Sequence, residues 1–163
     1  MKPKKLSTLN KKGVFGLSKK QIVRFLAVAA WLALTIFLSQ QSGTESAALS
    51  GGFTTAVVKV LNFFGLNPST SIVHYCLRKM AHVGVHLVLA ILTYRAMVLV
   101  TDSKKIAIGV SWLACCAVAA FDELIQLVAV GRASDPRDMT LNLLGVSVGI
   151  IVGILITREK PSR

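Results

Sequence analysis

A chain of 163 residues is long enough for one domain, but 53% apolar against 16% charged residues and a mean hydropathy of +0.64 exclude an ordinary soluble one. Its 19 Lys and Arg against 7 Asp and Glu give a net charge of +12, yet two Trp, two Tyr and no basic–aromatic stripe argue against nucleic acid as a partner. Three cysteines, Cys76, Cys115 and Cys116, show no CxxC spacing, and the adjacent pair reads as apolar filler.

The composition predicts an all-α integral membrane protein with four transmembrane helices, since about 20 apolar residues cross a bilayer core. In chain order, residues 1–21 form a basic tail and residues 22–40 the first span, apolar from Ile22 to Leu38 with Ser39 and Gln40 at its outer end. A cleaved signal peptide is the alternative for this segment, but its basic region is long and no A-x-A site follows. Ser42-Gly43-Thr44-Glu45 fits a capping box. Leu49, Phe53, Val57, Leu61 and Phe64 then recur at helical spacing, predicting an amphipathic helix over residues 43–64 at the outer interface. Gly65 and Asn67-Pro68 end it, and Ser69 or Ser71 caps the next helix. The remaining spans are predicted at 80–100, 106–130 and 139–157, leaving 158–163 as a second tail. With both termini in the cytoplasm, 14 of the 19 Lys and Arg fall inside, as the positive-inside rule favours.

This topology gathers the polar residues at the outer end of the bundle. Arg78, Lys79 and His82 open the second span; Asp122, Glu123 and Gln126 lie near the end of the third, Asp122 about 12 Å below Val130. The loop holding Arg132 and Asp135, then Asp138 and Asn142, leads into the fourth span. Asp122 and Gln126 share a helix face, whereas Glu123, rotated by about 100°, points to a different neighbour. Asp138 and Asn142 share a face that continues through Gly145, Gly149 and Gly153; small residues at such steps allow close helix approach, so this face points inward.

A carboxylate at mid-bilayer depth costs roughly 2.5–3.5 kcal/mol even on the lenient insertion scale, so two adjacent ones require partners. The plainest reading is an ion-paired cap that locks the helices together without a ligand. A binding site is the second: arginine grips phosphate bidentately while carboxylates meet amides or hydroxyls. Acid/base catalysis by Glu123 or Asp122 with His82 is a third. His82 and His86 with Asp122 or Glu123 also offer metal donors, but HxxxH is a weak pattern and His86 lies about 6 Å deeper than His82, so no metal or other cofactor is assigned. Ser39 and Ser134 show no nucleophile pattern.

Arg78-Lys79-Met80-Ala81-His82, Asp122-Glu123-Leu124-Ile125-Gln126, Gly131-Arg132, Asp138, Asn142 and Gly145, in this order, resemble the signature of the VanZ-like membrane proteins across residues 22–157. The resemblance implies a four-span protein of the bacterial cytoplasmic membrane and a cell-envelope role, the best-known member giving low-level resistance to teicoplanin-type glycopeptides. Family members often carry an acidic and then an aromatic residue where this chain has Val85 and His86, which leaves ligand specificity open. Joined to the topology, the resemblance implies a non-enzymatic protein that binds a lipid-linked cell-wall precursor or lipoglycopeptide in the outer leaflet. On that reading Arg78, Lys79 and Arg132 hold anionic headgroups, Asp122, Glu123, Gln126, Asp138 and Asn142 orient polar parts, and His82 tunes the site. An enzyme using Glu123, Asp122 and His82 on such a substrate is the alternative.

Overall fold

The computed structural model describes residues 16–129 and 136–157, which form α1 (Lys19–Gln40), α2 (Gly43–Phe63), α3 (Thr70–Met97), α4 (Lys104–Val128) and α5 (Pro136–Ile156). All but α2 are long and apolar enough to cross a membrane. The spans begin earlier than hydropathy alone predicts. α1 starts at Lys19 because Ser18 and Gln21 form a capping box, each side chain bonded to the other's backbone N–H. α3 starts ten residues before Met80, capped by Ser69 through the Ile72 N–H, so the second span is the inner part of one 28-residue helix. α3 and α4 end at Met97 and Val128, short of Val100 and Val130.

α2 matches its expected bounds closely. Ser42 and Glu45 cap its start, and the Glu45 carboxylate, accepting from the Ser42 N–H and hydroxyl, titrates below its ordinary value. The folded form is therefore favoured above the unfolded carboxylate pKa, and this contribution is lost as pH falls through the lowered one. At the other end Gly65, at φ +78°, lets its own N–H reach Asn62 O at 2.9 Å and that of Leu66 reach Leu61 O at 3.1 Å, closing a Schellman motif.

α3 is the central element: it contacts each of the other four helices, α5 most extensively. The reason lies in α5. A Cβ at Gly145 would run into the backbone carbonyl of Val83, one at Gly149 into that of Leu87, and one at Gly153 would come within 3.0 Å of the Tyr94 ring. These absent side chains let the two backbones touch, as helices packing in lipid require. The apolar core below the polar end is built from Leu89, Ala90, Tyr94, Val98, Ala107, Cys115, Val146 and Ile150. Phe37, Leu113, Leu124, Ile151 and Leu155 are exposed, as expected of side chains whose solvent is hydrocarbon. At the end remote from the polar cluster, α1 grips the end of α3: Gln21 Nε2 donates to Leu99 O at 2.8 Å and Arg24 to Arg95 O. Both bonds satisfy carbonyls at the helix C-terminus.

Two glycine substitutions separate packing from propensity. Gly145→Val should lower stability by roughly 1–3 kcal/mol through overpacking against backbone that cannot yield. Gly84→Ala, where nothing lies within 4 Å of an added Cβ, should be neutral or stabilising by up to about 1 kcal/mol. Thermal unfolding of both variants in one detergent checks the pair; equal losses would refute the α3–α5 contact.

Candidate functional site

The polar side chains of the four spans meet at one end of the bundle in two linked networks. The first centres on Asp122, six residues or about 9 Å from the end of α4. The hydroxyl of Ser39, at the end of α1, lies against Asp122 Oδ1 and 2.8 Å from Thr35 O. Asp122 Oδ2 accepts from Gln126 Nε2 at 3.1 Å and faces His86 Nε2 at 3.4 Å. Donation by Nε2 leaves His86 Nδ1 with a lone pair, and that atom is buried without a hydrogen-bond partner.

The second network runs between α3, α4 and α5. Asn142, fully buried, donates from Nδ2 to Glu123 Oε1 at 2.8 Å and meets His82 Nδ1 at 3.1 Å through its Oδ1. One turn nearer the start of α5, Asp138 is 1% exposed and pairs with Lys79 Nζ, with Arg78 at 3.8 Å and with His82 Nε2 at 3.7 Å. Lys79 also lies 5.2 Å from the centre of the Tyr75 ring, a cation–π distance. The two networks touch at His82, Asp122 and Glu123, whose donor atoms all lie within 4.8 Å of one another.

The helical offset of Asp122 and Glu123 has the expected consequence, sending them to different helices, Asp122 to α1 and α3 and Glu123 to α5. Of the nine residues predicted to bind a ligand, Arg78, His82, Asp122 and Gln126 line a cavity of about 270 Å³ between α1, α2, α3 and α4. Lys79, Glu123, Asp138 and Asn142 are not among the cavity's lining residues and pair as described above, while Arg132 lies outside the described residues.

Several lining residues escaped the sequence reading. Ser46, Ser50 and Phe53 of α2 join Leu38, Ser39, Leu77, Ala81, Val85 and His86 around the cavity. α2 turns a stripe of Ser46, Ser50 and Thr54 towards the bundle: Ser50 bonds His74 Nε2 at 3.0 Å and Thr54 is 2% exposed. Leu49, Phe53 and Phe64 of the apolar stripe are exposed, whereas Val57 and Leu61 are half-buried. The four-residue spacing of Ser46, Ser50 and Thr54 was the available signal. His86 also takes a role other than the one weighed for it. It hydrogen-bonds Asp122 and stands outside the cluster that His82 forms with the two carboxylates.

These features coincide with the family signature. The family model for VanZ/LLP1 matches residues 24–157, and every described polar residue of both networks falls inside that range. The chain belongs to the VanZ/LLP1 family. No curated protein and no solved structure matches it. With four helices able to span a bilayer, this VanZ/LLP1 member is a multi-pass membrane protein.

Removal of the Asp122 carboxylate should be costly, because Gln126 and His86 each lose an acceptor, while Ser39 keeps Thr35 O. A buried donor left unpaired costs about 1–3 kcal/mol. Asp122→Ala should therefore destabilise by about 2 kcal/mol or more in detergent, and Asp122→Asn, which keeps one acceptor oxygen, by less. Equal melting temperatures for both variants and wild type would show that the network contributes nothing.

Proposed function

We propose that this VanZ/LLP1 protein acts in the bacterial cell envelope by binding the polar headgroup of an outer-leaflet amphiphile in the cavity between α1, α2, α3 and α4. The observation that carries this reading is the cavity's two-sided wall. Arg78, His82, Asp122 and Gln126 offer charge and hydrogen bonds, while Leu38, Phe53, Leu77, Ala81 and Val85 offer apolar surface. An acyl-tailed ligand with a charged or amide-rich head meets both. Arg78, whose side chain is 40% exposed, reaches outward past its contact with Asp138 and is the anion-binding group. A lipid-linked cell-wall precursor or a lipoglycopeptide of the teicoplanin type fits this chemistry, and shielding such a target gives the resistance phenotype. Lys79, Glu123, Asp138 and Asn142 support the site from behind.

A second reading makes the protein an enzyme on the same substrate, with Glu123, Asp122 and His82 as acid and base. The convergence of those three side chains within 4.8 Å favours it. Isosteric replacement separates the two. In a sensitive Gram-positive host with membrane levels matched by immunoblot, wild type should raise the teicoplanin inhibitory concentration selectively over vancomycin. Arg78→Ala should abolish most of that gain. Glu123→Gln should retain part of it in a binder and none in an enzyme. Absence of protection by well-expressed wild type would remove the resistance role.

The site faces the outer leaflet only if both termini are cytoplasmic, as the distribution of Lys and Arg favours. Cys76, exposed near the start of α3, should then react in intact cells with a membrane-impermeant maleimide. Labelling that requires permeabilisation would reverse the orientation.

A further inference from the structure

Charge at the polar end is neutralised unevenly. Arg78 and Lys79 both go to Asp138, and no lysine or arginine among the described residues lies within ion-pair reach of Asp122 or Glu123. Asp122 has its three donors. Among the described residues Glu123, 9% exposed, has Asn142 alone, bonded to one of its two oxygens. Two adjacent buried carboxylates, one so sparsely partnered, form a strong field for a cation.

The hydrogen bonds also set which nitrogen of His82 is available. Asn142 spends its Nδ2 on Glu123, so its Oδ1 faces His82 and must accept from Nδ1–H. His82 Nε2 then carries the lone pair. That atom stands 3.7 Å from Asp138 Oδ2, in a ring that also offers a donor atom within 4.8 Å of carboxylate oxygens from Asp122 and Glu123. A lone pair among carboxylates is repelled unless a cation lies between them.

We propose that His82, Asp122 and Glu123 bind a divalent first-row transition-metal ion, of the zinc or manganese type, with its remaining coordination positions open to the cavity. One imidazole nitrogen and two carboxylates suit such ions. Ligand atoms around a tetrahedral ion stand about 3.3 Å apart, so closure from 4.8 Å needs a shift of roughly 1 Å by each side chain. Asn142 bridges two of the ligands, and His86 and Gln126 orient the third, as outer partners of a metal site do. His82 and Asp122 line the cavity, which provides the entry path. A proton on His82 Nε2 is the competing cation.

The site is tested on full-length protein in detergent, stripped with chelator and then dialysed against Zn²⁺ or Mn²⁺ alone, so the outcome is independent of any lipid or antibiotic. Elemental analysis should find about one ion retained per chain, with a melting temperature that rises with metal concentration. Glu123→Gln and His82→Asn should each lower retention at least tenfold, roughly the scale on which even outer-shell partners matter, while His74→Asn keeps it. No retention by wild type would overturn the site in favour of the proton, and retention unchanged in both site variants would place the ion elsewhere. Cobalt(II) added to wild type needs no variant: a visible spectrum shifted from that of the aquo ion is expected, and a spectrum identical to the aquo ion's refutes the coordination.

Discussion

A carboxylate beneath a bilayer surface has no water to solvate it, so the protein itself must supply every hydrogen-bond donor. That requirement organises the polar end of this bundle. Asp122 draws Ser39 from α1 and His86 from α3; Glu123 draws Asn142 from α5; Asp138 draws Lys79 from α3. Each spanning helix is thereby pinned to another by a polar contact near one end, and the register of the helices follows. The pinning works only because α3 and α5 approach closely. Side chains at Gly145 and Gly149 would collide with α3 backbone and hold Asn142 and Asp138 out of reach of His82 and Lys79. Glycine on one face of α5 and polarity on the same face are thus a single device.

α2 answers a different constraint. This helix, polar on one face and apolar on another, places Ser46, Ser50 and Thr54 against the bundle and Leu49 and Phe53 outward. A helix so oriented roofs the space between α1 and α3 with hydroxyls while presenting hydrocarbon to its surroundings. The cavity owes its mixed lining to this rotation. Phe53 belongs to both surfaces, lining the cavity while 63% exposed.

Much of this was legible in the sequence because it rests on local rules. The capping box at Ser42, the stop at Gly65, the glycine ladder of α5 and the divergence of Asp122 from Glu123 all follow from spacing along one helix. The early start of α3 was legible at Ser69, one of the two caps expected, but that of α1 was not, since Lys19 and Lys20 are too polar for a hydropathy reading although Ser18 caps the helix. The inner face of α2 was also missed: apolar periodicity identifies a stripe but not whether protein or lipid covers it. The pairing of His86 with Asp122 was beyond reach for another reason. It depends on the relative depth of two antiparallel helices, which no spacing within either one encodes.

A polar cap that merely locks helices and a site that binds are usually weighed against each other, yet here different carboxylates serve the two roles. Asp138 is saturated, with Lys79, Arg78 and His82 around it and 1% of its surface exposed. Such a group has nothing left to offer a ligand and reads as the lock. Asp122 lines the cavity, and Glu123 directly behind it keeps one oxygen without a hydrogen-bond partner among the described residues. His86 adds a buried Nδ1 that likewise lacks one. Among the ionisable groups of the polar end, the spare hydrogen-bonding capacity lies on Glu123 and His86, and the satisfied capacity lies on Asp138. Asp138 with its cations is thus the closed part of the polar end, and Asp122, Glu123 and His86 are the part with capacity to spare.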